Sequence, residues 1–375
     1  MHFKPNIYLS NIGLVSGTTS VIITSTVKNL LNQITNPAGL LRIYGFSIIA
    51  TLTVWVLVGV YGGLSAFVTV VILTLLEITF SFDNAVINSR ILVTLSKFWQ
   101  TLFLTVGILL AVFVVRFFVP ILIVAITAGL SLAEVVRLAL HNPHEYAEVL
   151  HQSAHMIDAF GGTFLLLVGA SFFIDADKKL HWFKKIEKPL AKAGKLQYFT
   201  ILTMIVMTAI IYIANLGRYG SDERNAILLA GIVAITLHVA MEFFDKISGG
   251  QKKSNVKQKV GMAAFTSFIY LQLLDASFSL DGVIGAFAIT SSVVLIAAGL
   301  GAGAVWVRSM TVHLVRAGTL AKYKFLEHGA HWAIVILGVI MLGKLYGIEP
   351  PEWATGSVGL LFIAMSIFSS VKKPA

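Results

Sequence analysis

The chain has 375 residues, of which 57% are apolar and only 12% are charged, and its formal net charge is +10. Apolar stretches of about 20 residues recur along it, which is typical of a multi-pass membrane protein and not of a soluble domain. It contains no cysteine. Disulfides, thiolate metal sites and cysteine nucleophiles are therefore excluded, and a bound metal would need oxygen or imidazole ligands.

Ten apolar stretches predict about ten spanning helices, so the expected fold is an all-α, polytopic transmembrane helical bundle. The predicted spans are, in chain order, 43–60, 64–92, 100–129, 160–175, 198–217, 226–244, 262–289, 291–307, 330–346 and 354–371. The second and the seventh are longer than a bilayer requires, which predicts a tilt, a break or an extension beyond the membrane.

Lysine and arginine separate by side under this ten-span prediction. The basic segments on one side are 175–195, 245–259, 308–327 and 371–373. The connections on the other side contain only Arg137, Arg218, Arg224 and Lys344. By the positive-inside rule both termini are cytoplasmic, and the predicted location is the inner (plasma) membrane. We interpret the basic loops as contacts with membrane lipid and not with nucleic acid.

Two similar acidic motifs lie near the middle of the second and seventh spans. They read "LLEITFSFDNAVI" (75–87) and "LLDASFSLDGVIG" (273–285). Their alignment at a constant offset of 198 residues pairs Glu77 with Asp275 and Asp83 with Asp281. Each acidic side chain at the centre of a spanning helix costs about 2.5–3.5 kcal/mol, so four of them at matching positions indicate a functional site.

The two motif-bearing spans are separated by five spans, so they run in opposite directions and the repeat is inverted. The predicted organisation is an N-terminal cytoplasmic segment 1–42, a first repeat unit 43–175, a basic loop with a connector span 176–225, a second inverted repeat unit 226–346, and a final span with a basic tail 347–375. Inverted units with polar groups at the bilayer midplane are typical of secondary transporters.

Helical geometry leaves the role of the acidic groups open. On a straight helix Glu77, Ser81 and Asn84 share a face, whereas Asp83 points roughly 120° away, so a break near Ser81 would be needed to bring them together. The acids fit a cation site, a proton relay, or structural pairing with Arg116 or Arg90, and Arg116 lies within the third span as an internal counter-charge. Carboxylate and amide oxygens favour hard cations such as Mn²⁺, Mg²⁺ or Ca²⁺.

The motifs "LEITFSFDNAVINSRIL" (76–92) and "LLDASFSLDGVIGAFAIT" (273–290) carry a resemblance, together with the block at 308–342. The chain resembles the TerC-like integral membrane proteins of the LysE-type transporter superfamily, and most closely a branch with paired motifs of this kind, over about residues 65–345. The resemblance implies export of a divalent metal, chiefly manganese. Carried over to this sequence, the implied metal-site residues are Glu77, Asp83, Asn84, Asp275 and Asp281. Gly282 stands where the first motif has Asn84, so the resemblance implies unequal halves.

Two further groups have a functional and a plain interpretation. One helical face in the segment 141–162 carries four residues, which are His144, Glu148, His151 and His155. They are either an outer metal-capture site or a polar stripe along the headgroups. His238 and Glu242 lie one helical turn apart in the sixth span, where they form a proton relay or an ordinary satisfied pair. The run "GLGAGA" (299–304) predicts close helix packing.

The sequence therefore predicts a transporter that exports a divalent cation, Mn²⁺ by preference, as its substrate. No motif of a hydrolase or of a nucleotide-driven pump is found, and we expect neither enzymatic activity nor a cofactor. Two alternatives remain. One is a membrane scaffold or sensor of stress that transports nothing, and the other is a proton-linked carrier of another solute.

Overall fold

The computed structural model of the protein describes residues 37–176, 178–194, 206, 208–213, 218–247, 258–316, 322–348 and 350–372. The described helices are α1 (Pro37–Phe80), α2 (Phe82–Thr94), α3 (Lys97–Leu102), the π-helical turns π1 (Phe103–Gly107) and π2 (Leu110–Phe118), α4 (Val119–Ala128), α5 (Leu132–His141), α6 (Pro143–Gln152), α7 (Ala154–Ile174), α8 (Lys184–Ala193), α9 (Ser221–Ile247), α10 (Gly261–Phe287), α11 (Val293–Arg316), α12 (Leu326–Lys344) and α13 (Glu352–Lys372).

The predicted all-α fold is confirmed. Within the described ranges the extended backbone is limited to one isolated bridge between Leu95 and Lys259. Seven described helices are long and apolar enough to cross a membrane, and the apolar helix Ser357–Lys372 is shorter. Most of the predicted fifth span, 198–217, lies outside the described residues. The chain is therefore a multi-pass membrane protein.

The chain divides into two compact units, Met1–Ile49 and Ala50–Ala375. The described part of the first unit is the beginning of α1. The second unit contains the rest of the described helices. Its cores lie where α7 packs against α9 and α12, and where α2 packs against α11 and α12. One core cluster includes Val86, Phe164, Leu274, Ile334 and Met341.

Gly63 divides α1 into two arms. Its φ of 77° and ψ of −176° lie outside the helical region, in a conformation that a residue without a side chain adopts at little cost. Trp55 Nε1 donates to Thr74 Oγ1 at 3.3 Å, although 19 residues of straight helix would separate them by about 28 Å. The chain therefore reverses direction at Gly63, as the separate spans 43–60 and 64–92 predict.

The predicted third and fourth spans differ from the structure in detail. The third, 100–129, runs through α3, π1, π2 and α4, so its backbone contains two π-helical stretches that apolar composition alone does not reveal. The fourth begins at Ala154 and not at residue 160. The connection before it is not a plain loop, because the Ser131 side chain caps α5 and the Glu134 carboxylate accepts from the backbone N–H of Ser131, which completes a capping box.

Glu187 fixes the basic segment after α7 to the bundle. It is fully buried in the short helix α8, and its carboxylate accepts hydrogen bonds from the backbone N–H groups of Trp182 (3.0 Å) and Phe183 (3.2 Å) and from Trp332 Nε1 (3.1 Å). His328 Nε2 lies 3.4 Å from the same carboxylate. A segment predicted only as a basic loop is thus held by one buried acid.

Lys178 is enclosed beside this carboxylate. Its Nζ lies 3.4 Å from the centre of the Phe172 ring and 3.9 Å from Glu187 Oε2. Burial lowers the pKa of Lys178 to about 8, and Glu187, Glu327 and Asp175 oppose that shift. The folded protein therefore releases this proton near pH 8, whereas an unfolded lysine holds it to about pH 10.4.

We expect the free energy of unfolding to rise with pH between about 8 and 10 at this site, because the unfolded chain binds the extra proton in that window. Thermal unfolding in detergent at pH 7.5 and 9.5 measures it. The Lys178→Met variant should gain less from the higher pH than wild type does, while Lys188→Met, at an exposed position of α8, should follow wild type. Equal gains in wild type and Lys178→Met would contradict the assignment.

Candidate functional site

The first acidic motif spans a break between two helices. α1 ends at Phe80 and α2 begins at Phe82, with Ser81 between them at φ −99° and ψ 17°. Ser81 Oγ donates to Glu77 Oε1 at 2.8 Å, and the backbone N–H of Asn84 donates to Asp83 Oδ1 at 2.9 Å. The break near Ser81 that helical geometry required is confirmed, and the motif's own side chains satisfy polar groups around it.

This break places Glu77, Asp83 and Asn84 on one cavity. We call it the carboxylate cavity, and it has a volume of about 90 Å³. Its other walls come from α10, α11, α12 and α13; they include Gly282, Leu300, Leu337, Lys344, Thr355 and Gly359. One buried water needs roughly 10–15 Å³ measured in this way, so the cavity has room for a small ion with a few waters.

Three oxygens are available to a ligand here. Ser81 and Arg116 both donate to Oε1 of Glu77, and a methyl group at position 282 would lie 3.9 Å from its Oε2. Asp83 uses Oδ1 for the backbone of Asn84, whereas its Oδ2 faces Gly359. Asn84 is 1% exposed, and its Oδ1 is enclosed without a hydrogen-bond partner in the described structure. Oxygen donors of this kind suit a hard cation.

Arg116 forms an ion pair with Glu77. Its Nη2 lies 2.5 Å from Glu77 Oε1, and its Nη1 donates to the carbonyl oxygen of Ala111 at 2.9 Å. The arginine lies in π2, and π-helical turns inside α-helices are frequent at functional sites. Arg116 and Glu77 are both buried, so each charge depends on the other.

Asp275 lies in a different cavity from its sequence counterpart. This arginine cavity, of about 30 Å³, is lined by Asn88, Arg116, Gln272, Asp275, Arg308 and Thr311 among others. The ion pair between Arg116 and Glu77 therefore joins two cavities. α10 continues unbroken through the second motif, and the side chain of Asp281 lies outside the described residues. Among the described side chains, the first motif supplies Glu77, Asp83 and Asn84 to the carboxylate cavity.

One protein family matches most of the chain. It is described as a protein of unknown function, DUF475, and the match covers residues 82–374. The chain belongs to the DUF475 family. A comparison with curated proteins and one with solved structures each found no match. The matched region of this DUF475 protein begins at the first residue of α2, so it includes Asp83, Asn84 and the whole second motif but not Glu77.

His238 and Glu242 of the DUF475 protein share a third cavity near the C-terminal end of α7, which we call the histidine cavity. Ser171 Oγ lies 3.0 Å from His238 Nε2 and donates to Glu242 Oε1 at 3.2 Å. His238 Nε2 is itself 3.4 Å from Glu242 Oε1. Ser171 therefore bridges the two side chains and links them to a neighbouring helix.

The predicted helical face with four residues is interrupted. His144, Glu148 and His151 lie on α6, which ends at Gln152, and His155 lies on α7. The prediction of a single face was wrong because the helix stops at Ser153, whose side chain donates back to the carbonyl oxygen of Val149. His155 instead packs against Tyr219, with the two rings tilted by 40° and their centroids 5.2 Å apart.

The described part of the DUF475 protein contains no group of three or more His, Asp or Glu side chains placed to hold a metal. The carboxylate cavity brings together two such acids and one carboxamide. Sequence reasoning missed Asn88 and Gln272 in the arginine cavity. Their signal was spacing, because Asn88 follows Asn84 by four residues and Gln272 precedes Asp275 by three, which is one helical turn in each case.

Proposed function

We propose that this DUF475 protein is a membrane transporter of a small divalent cation, with Mn²⁺ as the preferred substrate and the carboxylate cavity as its binding site. The observation that carries the proposal is the convergence of Glu77, Asp83 and the unpartnered Asn84 oxygen on one cavity between membrane-spanning helices. Buried acids in such helices are costly and are retained where they bind an ion or a proton. The resemblance to the TerC-like proteins favours Mn²⁺ and export.

The size of the cavity supports a small ion over an organic solute. Pockets for drug-sized molecules are about 300–1,000 Å³, whereas the carboxylate cavity is about 90 Å³. Mn²⁺ prefers carboxylate, carbonyl and water ligands, which are the groups that the cavity offers. In this proposal Glu77 and Asp83 supply charge, Asn84 supplies a neutral oxygen, and waters complete the coordination.

Lysine distribution supports an orientation for the transporter. Under the predicted topology the end of α12 at Lys344 lies outside the cell, and Arg308 of α11 lies at the cytoplasmic side. The carboxylate cavity is lined at one end by Lys344 and Pro350, and the arginine cavity by Arg308 and Thr311. The proposal therefore assigns the carboxylate cavity to the outer side and the arginine cavity to the inner side of the Arg116–Glu77 pair.

Flux of Mn²⁺ into liposomes that contain the purified protein tests the proposal. We expect wild type to show saturable flux, and Asp83→Asn to reduce it by about tenfold or more, since one charged ligand becomes neutral while the acceptor for Asn84 N–H is kept. Glu145→Gln, at an exposed position of α6, is the matched control and should behave like wild type. Wild-type flux equal to that of protein-free liposomes would contradict the proposal.

A proton-linked carrier is the second candidate, and the chain Ser171–His238–Glu242 favours it. Hydroxyl, imidazole and carboxylate groups within 3.4 Å of one another form a path along which a proton moves. If export is coupled to proton exchange, protons leave the liposome as Mn²⁺ enters, so the interior becomes more alkaline during Mn²⁺ flux; in the second candidate proton movement is independent of Mn²⁺.

A further inference from the structure

Arg116 lies between the arginine cavity and the carboxylate cavity and contacts groups of both. It is 3% exposed and lines the arginine cavity, yet its guanidinium pairs with Glu77, which lines the carboxylate cavity. Its Nε is enclosed without a hydrogen-bond partner among the described residues. The guanidinium therefore links a wall of one cavity to a wall of the other, while part of its hydrogen-bonding capacity stays unused.

A second possible carboxylate partner of Arg116 lies in the arginine cavity, which Arg116 itself lines. Asp275 lines the arginine cavity and interacts electrostatically with Arg116. In the described structure Asp275 Oδ2 and the neighbouring Gln272 Oε1 are both enclosed without a hydrogen-bond partner. Unsatisfied buried acceptors are costly, and a guanidinium with five N–H donors is the group that satisfies two of them together.

The charges next to Arg116 point in the same direction. Its described carboxylate neighbours are Glu77 and Asp275, while Lys344 lines the carboxylate cavity and Arg308 lines the arginine cavity. A divalent cation bound at Glu77 and Asp83 would compete with Arg116 for Glu77. Asp275 is then the described carboxylate that compensates the buried charge of Arg116.

We propose that Arg116 is a tethered cation that alternates between Glu77 and Asp275, and that Asp275 is its second partner and not a ligand of the metal. Without a cation, Arg116 occupies Glu77 Oε1 and closes the path between the cavities. When a divalent cation enters, it takes the Glu77 carboxylate and Arg116 turns to Asp275 and Gln272. The identity of the cation rests on the function proposed above.

This assignment makes Asp275 a positioning residue, and Mn²⁺ binding to detergent-solubilised protein tests it. Asp275→Asn removes the alternative partner, so Arg116 stays on Glu77 and Mn²⁺ affinity should fall by about tenfold or more. The double variant Asp275→Asn with Arg116→Met removes the competitor as well. It should recover affinity to within about threefold of wild type, since Glu77 and Asp83 then balance the cation alone.

Recovery in the double variant distinguishes the two roles of Asp275. If Asp275 were a metal ligand, removing Arg116 would not restore the lost affinity, and that result would overturn the inference while leaving the transporter proposal intact. A wild-type Mn²⁺ affinity in Asp275→Asn would also overturn the inference that Asp275 is the second partner of Arg116. Failure of wild type to bind Mn²⁺ would overturn both proposals. Elution of each variant by size exclusion checks folding, and Arg116→Gln replaces Arg116→Met if the Met version aggregates.

Discussion

Replacement of Glu187 by alanine should lower the free energy of unfolding by about 3 kcal/mol or more, because breaking a buried, hydrogen-bonded charge by removing one partner is among the most destabilising changes in proteins. Glu187 is fully buried and accepts three hydrogen bonds, from two backbone N–H groups and the Trp332 indole. After the substitution these donors lie in an enclosed space with no acceptor, and Lys178 loses its nearby carboxylate.

Unfolding of the detergent-solubilised protein followed by tryptophan fluorescence measures this effect, since Trp182 and Trp332 both contact Glu187. Lys188→Ala is the matched control on the next residue of α8, where the side chain is exposed, and it should change stability by at most about 0.5 kcal/mol. Glu187→Gln keeps one carbonyl acceptor and should lie between wild type and Glu187→Ala. A wild-type unfolding midpoint for Glu187→Ala would show that the network does not stabilise the bundle.

Gly303→Ala should reduce Mn²⁺ flux and stability together. A Cβ at position 303 would lie 2.4 Å from Glu77 Cβ and 3.0 Å from the carbonyl oxygen of Thr74, and backbone cannot move aside as a flexible side chain does. Gly299, one helical turn earlier, approaches Leu73 in the same way. α11 must then withdraw from α1, at a cost of about 1–3 kcal/mol for overpacking, and Glu77 shifts relative to Arg116.

Gly343→Ala is the control for this substitution. The nearest atom to a Cβ there is 3.7 Å away, which is ordinary contact, so flux and unfolding should match wild type. Liposome flux and thermal unfolding, measured on the same preparations, separate the two effects of Gly303→Ala. Normal flux in Gly303→Ala would show that Glu77 tolerates displacement, and would argue against a binding site at this carboxylate.

Sequence patterns predicted those parts of the fold that depend on one helix at a time. Apolar runs located the spanning helices, and the 100° step per residue showed that Glu77 and Asp83 could meet only across a break near Ser81. The close approach at 299–304 also followed from local composition, because only small residues let two backbones come together; a methyl at Gly303 would overlap Glu77.

Relations between helices were beyond the same reasoning. Alignment paired Asp275 with Glu77, but the cavity that each side chain enters depends on the rotation of α10 and on the π-helical turns around Arg116, which no periodicity specifies. Glu187 was hidden for a similar reason. It stands in a run of lysines that indicates a cytoplasmic loop, and its burial results from contacts with Trp332 and His328, which lie more than 140 residues away in the chain.

The reversal at Gly63 has a consequence for how the protein is made. The two arms of α1 are joined by one residue, so there is no connecting loop that water could hold on the far side of the membrane while the second arm is still being synthesised. Inserted alone, the first arm would leave Trp55 without its hydrogen-bond partner Thr74, which lies in the second arm. We therefore expect residues 50–80 to enter the bilayer together as a helical hairpin, so a tag or protease site inserted at Gly63 should impair membrane insertion of both arms.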